Sequence, residues 1–120
     1  MFNWNDYLKI ANDILMMTDP NSIDAEAYYR CGISRAYYSV YNKSEQFIKS
    51  KHLTVIPQKK ESFQQAVIRI LGGLNGQAGV DLSRLKDYRT DSDYYCHIKI
   101  DINTFKLSLQ LATSIDRQLI

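Results

Sequence analysis

The sequence predicts an all-α fold: a helical bundle of about five helices, two of them long, central and antiparallel, forming a single domain over residues 1–120. Three observations carry that expectation. Apolar residues recur at steps of three and four in five separate stretches, the spacing of a helix face turned to a core. No segment shows convincing strand alternation, although the short stretch from Ile98 to Ile102 has the composition to be extended. The run from Tyr28 to Asn42, YYRCGISRAYYSVYN, packs five of the nine tyrosines around two arginines, with Gly32 as the one helix breaker.

The first helix is amphipathic through Trp4, Tyr7, Leu8, Ala11, Ile14 and Leu15, with Asn3 or Asn5 as its cap and Thr18-Asp19-Pro20 as its end. Asn21 or Ser22 then caps the second helix. Asp24 and Glu26 lie in its first turn, where the positive end of the helix dipole favours carboxylates. This helix runs to about Lys49 and carries two faces. Tyr29, Ile33, Ala36, Tyr37, Val40 and Phe47 form the apolar stripe; Tyr28, Cys31, Arg35, Tyr38 and Asn42 form the other. A helix with two such faces belongs between neighbours. Gly32 costs on the order of 1 kcal/mol relative to alanine, which a close backbone approach by another helix would explain.

Four lysines, His52 and Pro57 make the segment from Lys49 to Lys60 a polar connection. Pro57 fits the first position of a third helix, whose stripe is Phe63, Ala66, Val67, Ile70, Leu71 and Leu74. Gly72, Gly73, Gly76 and Gly79 follow and are expected to stop it in a hinge or loop. No strand precedes these glycines and no Gly-Lys-Ser/Thr follows them, so they are not read as a phosphate cradle. The fourth helix turns Leu82, Leu85 and Tyr88 inward. Ile102, Phe105, Leu109, Ala112, Ile115 and Leu119 build the fifth behind Asp101 or Asn103.

Composition excludes several classes. Fifteen Lys and Arg against thirteen Asp and Glu leave a net charge of +2, too small to argue for nucleic acid by itself, so any RNA contact must be a local patch. Cys31 and Cys96 are too few for a disulfide framework and are expected as free thiols. The opening residues carry no basic, apolar leader, and no run reaches membrane-spanning length; a cytoplasmic protein without membrane contact is expected. The chain has no Glu-x-x-His, His-Glu-x-x-His or Cys-x-x-Cys motif, so neither a metal ligand set nor a cofactor motif is expected.

Proton transfer has only His52 and His97 to draw on. If the fourth helix continues past Tyr94, then Arg89, Asp93 and His97, spaced four apart, share a face. A cation, an orienting carboxylate and an imidazole so placed suit metal-free RNA cleavage: the histidine assists the 2′-hydroxyl or the leaving oxygen, and the arginine stabilises charge building at phosphorus. Tyr94 and Tyr95 would stack on a nucleotide. The opposing reading is a solvated helix end, with an ordinary Arg89–Asp93 ion pair and His97 in a loop. On the second helix, a half-buried Arg35 needs an anionic partner, and Asp93 is expected to supply it across the two helices.

The blocks FNWNDYLKIA, AEAYYRCGISRAYYSVYN and LKDYRTDSDYY resemble those of the HEPN domains, small helical proteins of prokaryotes, over most of the chain. The most specific part is Arg89-x-x-x-Asp93-Tyr94, which matches the Arg-x-x-x-Asp-Tyr motif of one branch. The resemblance implies a bundle that homodimerises with its polar helices facing each other, often an RNA-cleaving toxin or defence effector, sometimes encoded beside a nucleotidyltransferase partner. The superfamily's catalytic signature places a histidine after four to six residues beyond an arginine. Here seven residues separate Arg89 from His97, Thr90 follows the arginine, and the corresponding position after Arg35 holds Asn42. Asparagine does not carry a proton between reactants at neutral pH.

Two functions follow as expectations. One is a metal-independent endoribonuclease acting as a dimer, with Arg89 and His97 catalytic and Arg35, Asn42, Asp93 and Tyr94 contacting substrate. The other is a non-catalytic interaction or nucleotide-binding domain that partners a nucleotidyltransferase or another protein.

Overall fold

The computed structural model describes residues 1–119, and these contain five α-helices and no strand: α1 Asn5–Met17, α2 Ala25–Ser50, α3 Phe63–Leu74, α4 Gly76–Tyr94 and α5 Ile102–Gln118. Ile120, the last residue of the expected domain, lies outside the described residues. Among the described residues no helix is long and apolar enough to cross a membrane. The long axis of the molecule, 47 Å against 29 and 25 Å across, follows from α2, whose 26 residues span roughly 39 Å at 1.5 Å per residue.

Helix α2 touches each of the other four helices, which is what its two-faced pattern requires. Tyr29, Ile33, Ala36, Tyr37 and Val40 are buried along the predicted stripe, against Leu82 and Leu85 of α4, Val67 and Leu71 of α3, and Phe105, Ala112 and Ile115 of α5. Phe47 is only half-buried. Gly32 is explained by a side chain and not by a helix backbone: a Cβ there would collide with the ring of Phe105, itself fully buried. Rising residue numbers along α2 meet falling numbers along α4, Ser34 beside Asp93 and Tyr38 beside Arg89, so these two long helices are antiparallel.

Helix starts follow local hydrogen-bonding chemistry. Trp4, and not Asn3 or Asn5, occupies the cap position of α1, and Asn3 Oδ1 accepts the Asn5 amide at 3.0 Å across the turn before it; Asp101 Oδ1 accepts the Thr104 amide at 2.9 Å before α5. Asp24, and not Asn21 or Ser22, occupies the cap position of α2. Helix α3 begins at Phe63 instead of Pro57. Ser62 and Gln65 form a reciprocal capping box, at 3.1 and 2.8 Å, and Lys60 just before it takes a left-handed φ of 65° that a continuous helix does not allow. Arg69 then ties the preceding connection to α3 through Glu61 and the Ile56 carbonyl.

The glycines do not stop α3. Gly72 and Gly73 lie inside α3, Gly76 and Gly79 inside α4, and Asn75 alone separates the helices. Asn75 serves both: its amide donates to Leu71 O at 2.7 Å and its side chain accepts from the Ala78 amide at 3.1 Å. An added Cβ at Gly79 would stand 2.5 Å from Gly72 Cα, so the pair marks a backbone-on-backbone crossing of the two helices.

Candidate functional site: the polar face between α2 and α4

Arg89 is the centre of this face. The helical period of α4 turns it toward α2, where it is 7% exposed. Its guanidinium lies 5.0 Å from the Tyr38 ring, 5.3 Å from Tyr37 and 5.5 Å from Tyr94, a cage of three π-faces. Nη2 donates to the Tyr38 hydroxyl, and Nε stands 3.2 Å from Asp93 Oδ2, one turn along the same helix. That second contact is ionic without hydrogen-bond geometry, leaving the buried Nε–H unmatched. Burial works against the guanidinium's charge, but the Tyr38 hydrogen bond and the Asp93 carboxylate outweigh it and raise its pKa, so Arg89 is a permanent cation. Burial likewise pushes the Tyr37 hydroxyl up, and Tyr41 to about 12.

Asp93 completes the face by accepting from the Ser34 hydroxyl at 3.4 Å. The expected Arg35–Asp93 pair does not form. Arg35, half-buried one residue further round α2, faces α1 and lays its guanidinium 4.9 Å from the centre of the Tyr7 ring. Arg89 reaches Asp93 along one helix with no crossing to bridge, and Arg35 satisfies its cation on an aromatic face. Asn42 donates to the Tyr38 carbonyl of its own helix at 2.8 Å, a local bond that turns it back onto α2. Tyr94 is exposed, with Tyr95 and Tyr28 also exposed.

His97 is not on the face of Arg89 and Asp93. Helix α4 ends at Tyr94, and His97 is exposed in the following loop, edge-on to Tyr95 with ring centres 5.7 Å apart. The cause is Arg30, a residue that periodicity and motif reasoning passed over. Its Nη1 takes the carbonyls of Asp91, Ser92 and Tyr95 at 3.1, 3.0 and 3.3 Å, and its Nη2 takes that of Ile98. Asp91 and Ser92 belong to the last turn of α4 and Tyr95 and Ile98 to the loop after it, and Asp91 O and Tyr95 O also accept the Tyr95 and Ile98 amides, so the guanidinium clasps the helix end to the turn that follows it. Glu26 orients Arg30 at 2.9 Å and accepts the Ile100 amide at 3.0 Å; that amide first, and Arg30 second, hold the Glu26 carboxyl below its ordinary range. The signal in the sequence was the Glu26-x-x-x-Arg30 spacing, a helix-stabilising pair whose second task depends on a loop some sixty residues away.

A shallow groove of about 480 Å³ beside this helix end is lined by Glu26, Ala27, Arg30, Ser92, Asp93, Tyr94 and Cys96. Asp93 and Tyr94 line this groove, Arg89 lies buried behind them, and His97 is not among its lining residues. Cys31 and Cys96 are free and exposed. No cluster of three or more His, Cys, Asp or Glu side chains suited to a metal ion occurs among the described residues. No protein-family model matches the chain, and neither does any curated protein or solved structure.

Proposed function

We propose that the protein is a HEPN-like interaction domain without catalytic activity of its own, which dimerises through the α2–α4 face and partners another protein, of which a nucleotidyltransferase is the type the resemblance suggests. The observation that supports this reading most is the enclosure of Arg89. A guanidinium caged by three tyrosines and paired with Tyr38 and Asp93 is built to hold two helices together and shape a surface. Charge stabilisation on RNA needs free N–H donors aimed at the phosphate, and this guanidinium is 7% exposed with one nitrogen already given to Tyr38. Exposed Tyr94 stands beside it, and with the exposed Tyr28 and Tyr95 it supplies the amphipathic side chains that recur in the anchoring centres of protein interfaces.

Purification of the tagged chain together with its genomic neighbours tests this directly. A stoichiometric partner lost on Tyr94→Ala, with no RNA cleavage by the purified chain, is the expected result.

A metal-independent endoribonuclease acting as a dimer is the second reading, favoured by one specific feature. His97 is solvent-exposed just past the helix that carries Arg89, on a loop anchored by Arg30, so a second copy or a bound RNA could bring the imidazole and the guanidinium to one phosphate. In that case Arg35 and Asn42 would border the substrate path with Asp93 and Tyr94. RNA cleavage that disappears in both Arg89→Lys and His97→Ala would establish it.

A further inference from the structure

Asp81 opens a different part of the molecule. It lies near the start of α4, eight residues and roughly 12 Å of helix before Arg89, and is 4% exposed. A carboxylate so buried is ordinarily paired with a cation. Among the described residues Asp81 has none: the groups that donate to it are Gln77 Nε2 at 2.8 Å, Ser114 Oγ at 3.2 Å and Gln118 Nε2 at 3.3 Å, all neutral. It forms part of the wall of a cleft of about 340 Å³ between α4 and α5, with Gln77, Arg84, Leu107, Gln110 and Ser114. A larger groove of about 820 Å³ shares Gln77, Gln110 and Ser114 with it and carries Lys106 and Arg117. Arg84, Lys106 and Arg117 are exposed, and none of them is ion-paired among the described residues.

Opposite charges therefore sit at different depths of two adjoining clefts that share the amides of Gln77 and Gln110, without meeting. A negative floor asks for a compact donor-rich cation, and amide oxygens beside it accept further N–H groups. A positive rim asks for an anion. A floor held by neutral donors retains acceptor capacity, since an ionised carboxylate has about four lone-pair sites and three are occupied.

We infer that the α4–α5 depression is a binding site for a small zwitterion, a molecule whose ammonium group reaches Asp81 while its carboxylate or phosphate meets one of the surrounding cations, Arg84 in the same cleft or Lys106 or Arg117 in the adjoining groove. The site is separate from the α2–α4 face and does not depend on the function proposed for it. The volume suits ligands of metabolite size.

Titration of the ¹⁵N-labelled full chain with four probes tests this, with amide and side-chain resonances of Gln77, Ser114 and Gln118 as reporters. The probes are ε-aminohexanoate, O-phosphoethanolamine, cadaverine (cation only) and hexanoate (anion only). At least one zwitterion is expected to give saturable shifts and to bind at least about tenfold more tightly than either single-charge probe, the two zwitterions reporting whether the rim takes carboxylate or phosphate. Asp81→Asn should weaken it more than about tenfold, the loss expected when a charge-assisted partner is removed. Should that variant fail to fold, the triple change Arg84→Gln, Lys106→Gln and Arg117→Gln, confined to exposed side chains, decides the matter. It should abolish the preference for the zwitterion over cadaverine. Absence of saturable shifts at these residues in the wild-type chain, binding by Asp81→Asn at wild-type affinity, or a preference that survives the triple change would overturn the inference.

Discussion

Alanine at Gly79 and at Gly73 should move stability in opposite directions, though both replace a helical glycine. Alanine gains about 1 kcal/mol over glycine in a helix interior. At Gly73 nothing lies within 4 Å of the added methyl, so the gain is kept, reduced near the end of α3 to about 0.5 kcal/mol. At Gly79 the new Cβ would stand 2.5 Å from Gly72 Cα and 2.9 Å from Gly72 N. Both obstacles are backbone, which cannot rotate aside, so the overpacking cost falls at the upper end of about 1–3 kcal/mol or beyond. The net loss is roughly 2 kcal/mol after the propensity gain. Gly72→Ala is the internal control, because its methyl meets Gly79 Cα at an ordinary 3.9 Å. Urea unfolding with equal m-values reads all three as midpoint shifts, lower for Gly79→Ala and unchanged to higher for the other two. A Gly79→Ala chain as stable as wild type would refute the close crossing of α3 and α4.

Tyr38→Phe removes the hydroxyl that accepts from Arg89 and should cost about 1.5–2 kcal/mol by urea unfolding, the lower part of the range for a hydrogen bond to a charged group; an unchanged midpoint would contradict that contact. A double-mutant cycle of Arg89→Met and Asp93→Asn should give a coupling of only about 1 kcal/mol, because the Asp93 side chain keeps 28% of its exposure and solvent screens the pair. Arg30→Ala unclasps the end of α4 from the loop after it and should speed amide exchange across residues 95–100, with little change in the centre of α5. Glu26 has a folded pKa below its ordinary 4.5, so its contribution is complete above that value and is lost as pH falls through the lowered one; Glu26→Gln should flatten this acid limb of stability.

The fold class was legible because periodicity reports burial. The stripes of α1, α2 and α5 and the two inward leucines of α4 needed no tertiary information. Element boundaries were less legible where two local signals compete. Pro57 read as the start of α3, but the Ser62–Gln65 capping box and the left-handed Lys60 set it at Phe63. Four glycines in eight residues read as a break, yet a glycine's other use, letting backbones touch, applied at Gly72 and Gly79. At the candidate site, spacing placed Arg89 and Asp93 together, and they meet. Spacing extended that face to His97 by assuming another turn of α4. The helix ends earlier because Arg30, distant in sequence, takes its carbonyls. The Arg35–Asp93 pair failed for a related reason: charge complementarity names eligible partners, but the facing of Arg35 toward Tyr7 was set by how α1 packs on α2.

The central claim is that the α2–α4 face binds other proteins and performs no chemistry on RNA. Incubation of the purified wild-type chain with a mixed single-stranded RNA, beside Arg89→Lys and His97→Ala, reads this most directly. The account predicts intact RNA in all three lanes. Cleavage by the wild-type chain that vanishes in both variants would contradict it and make His97 the proton carrier that the exposed loop holds ready.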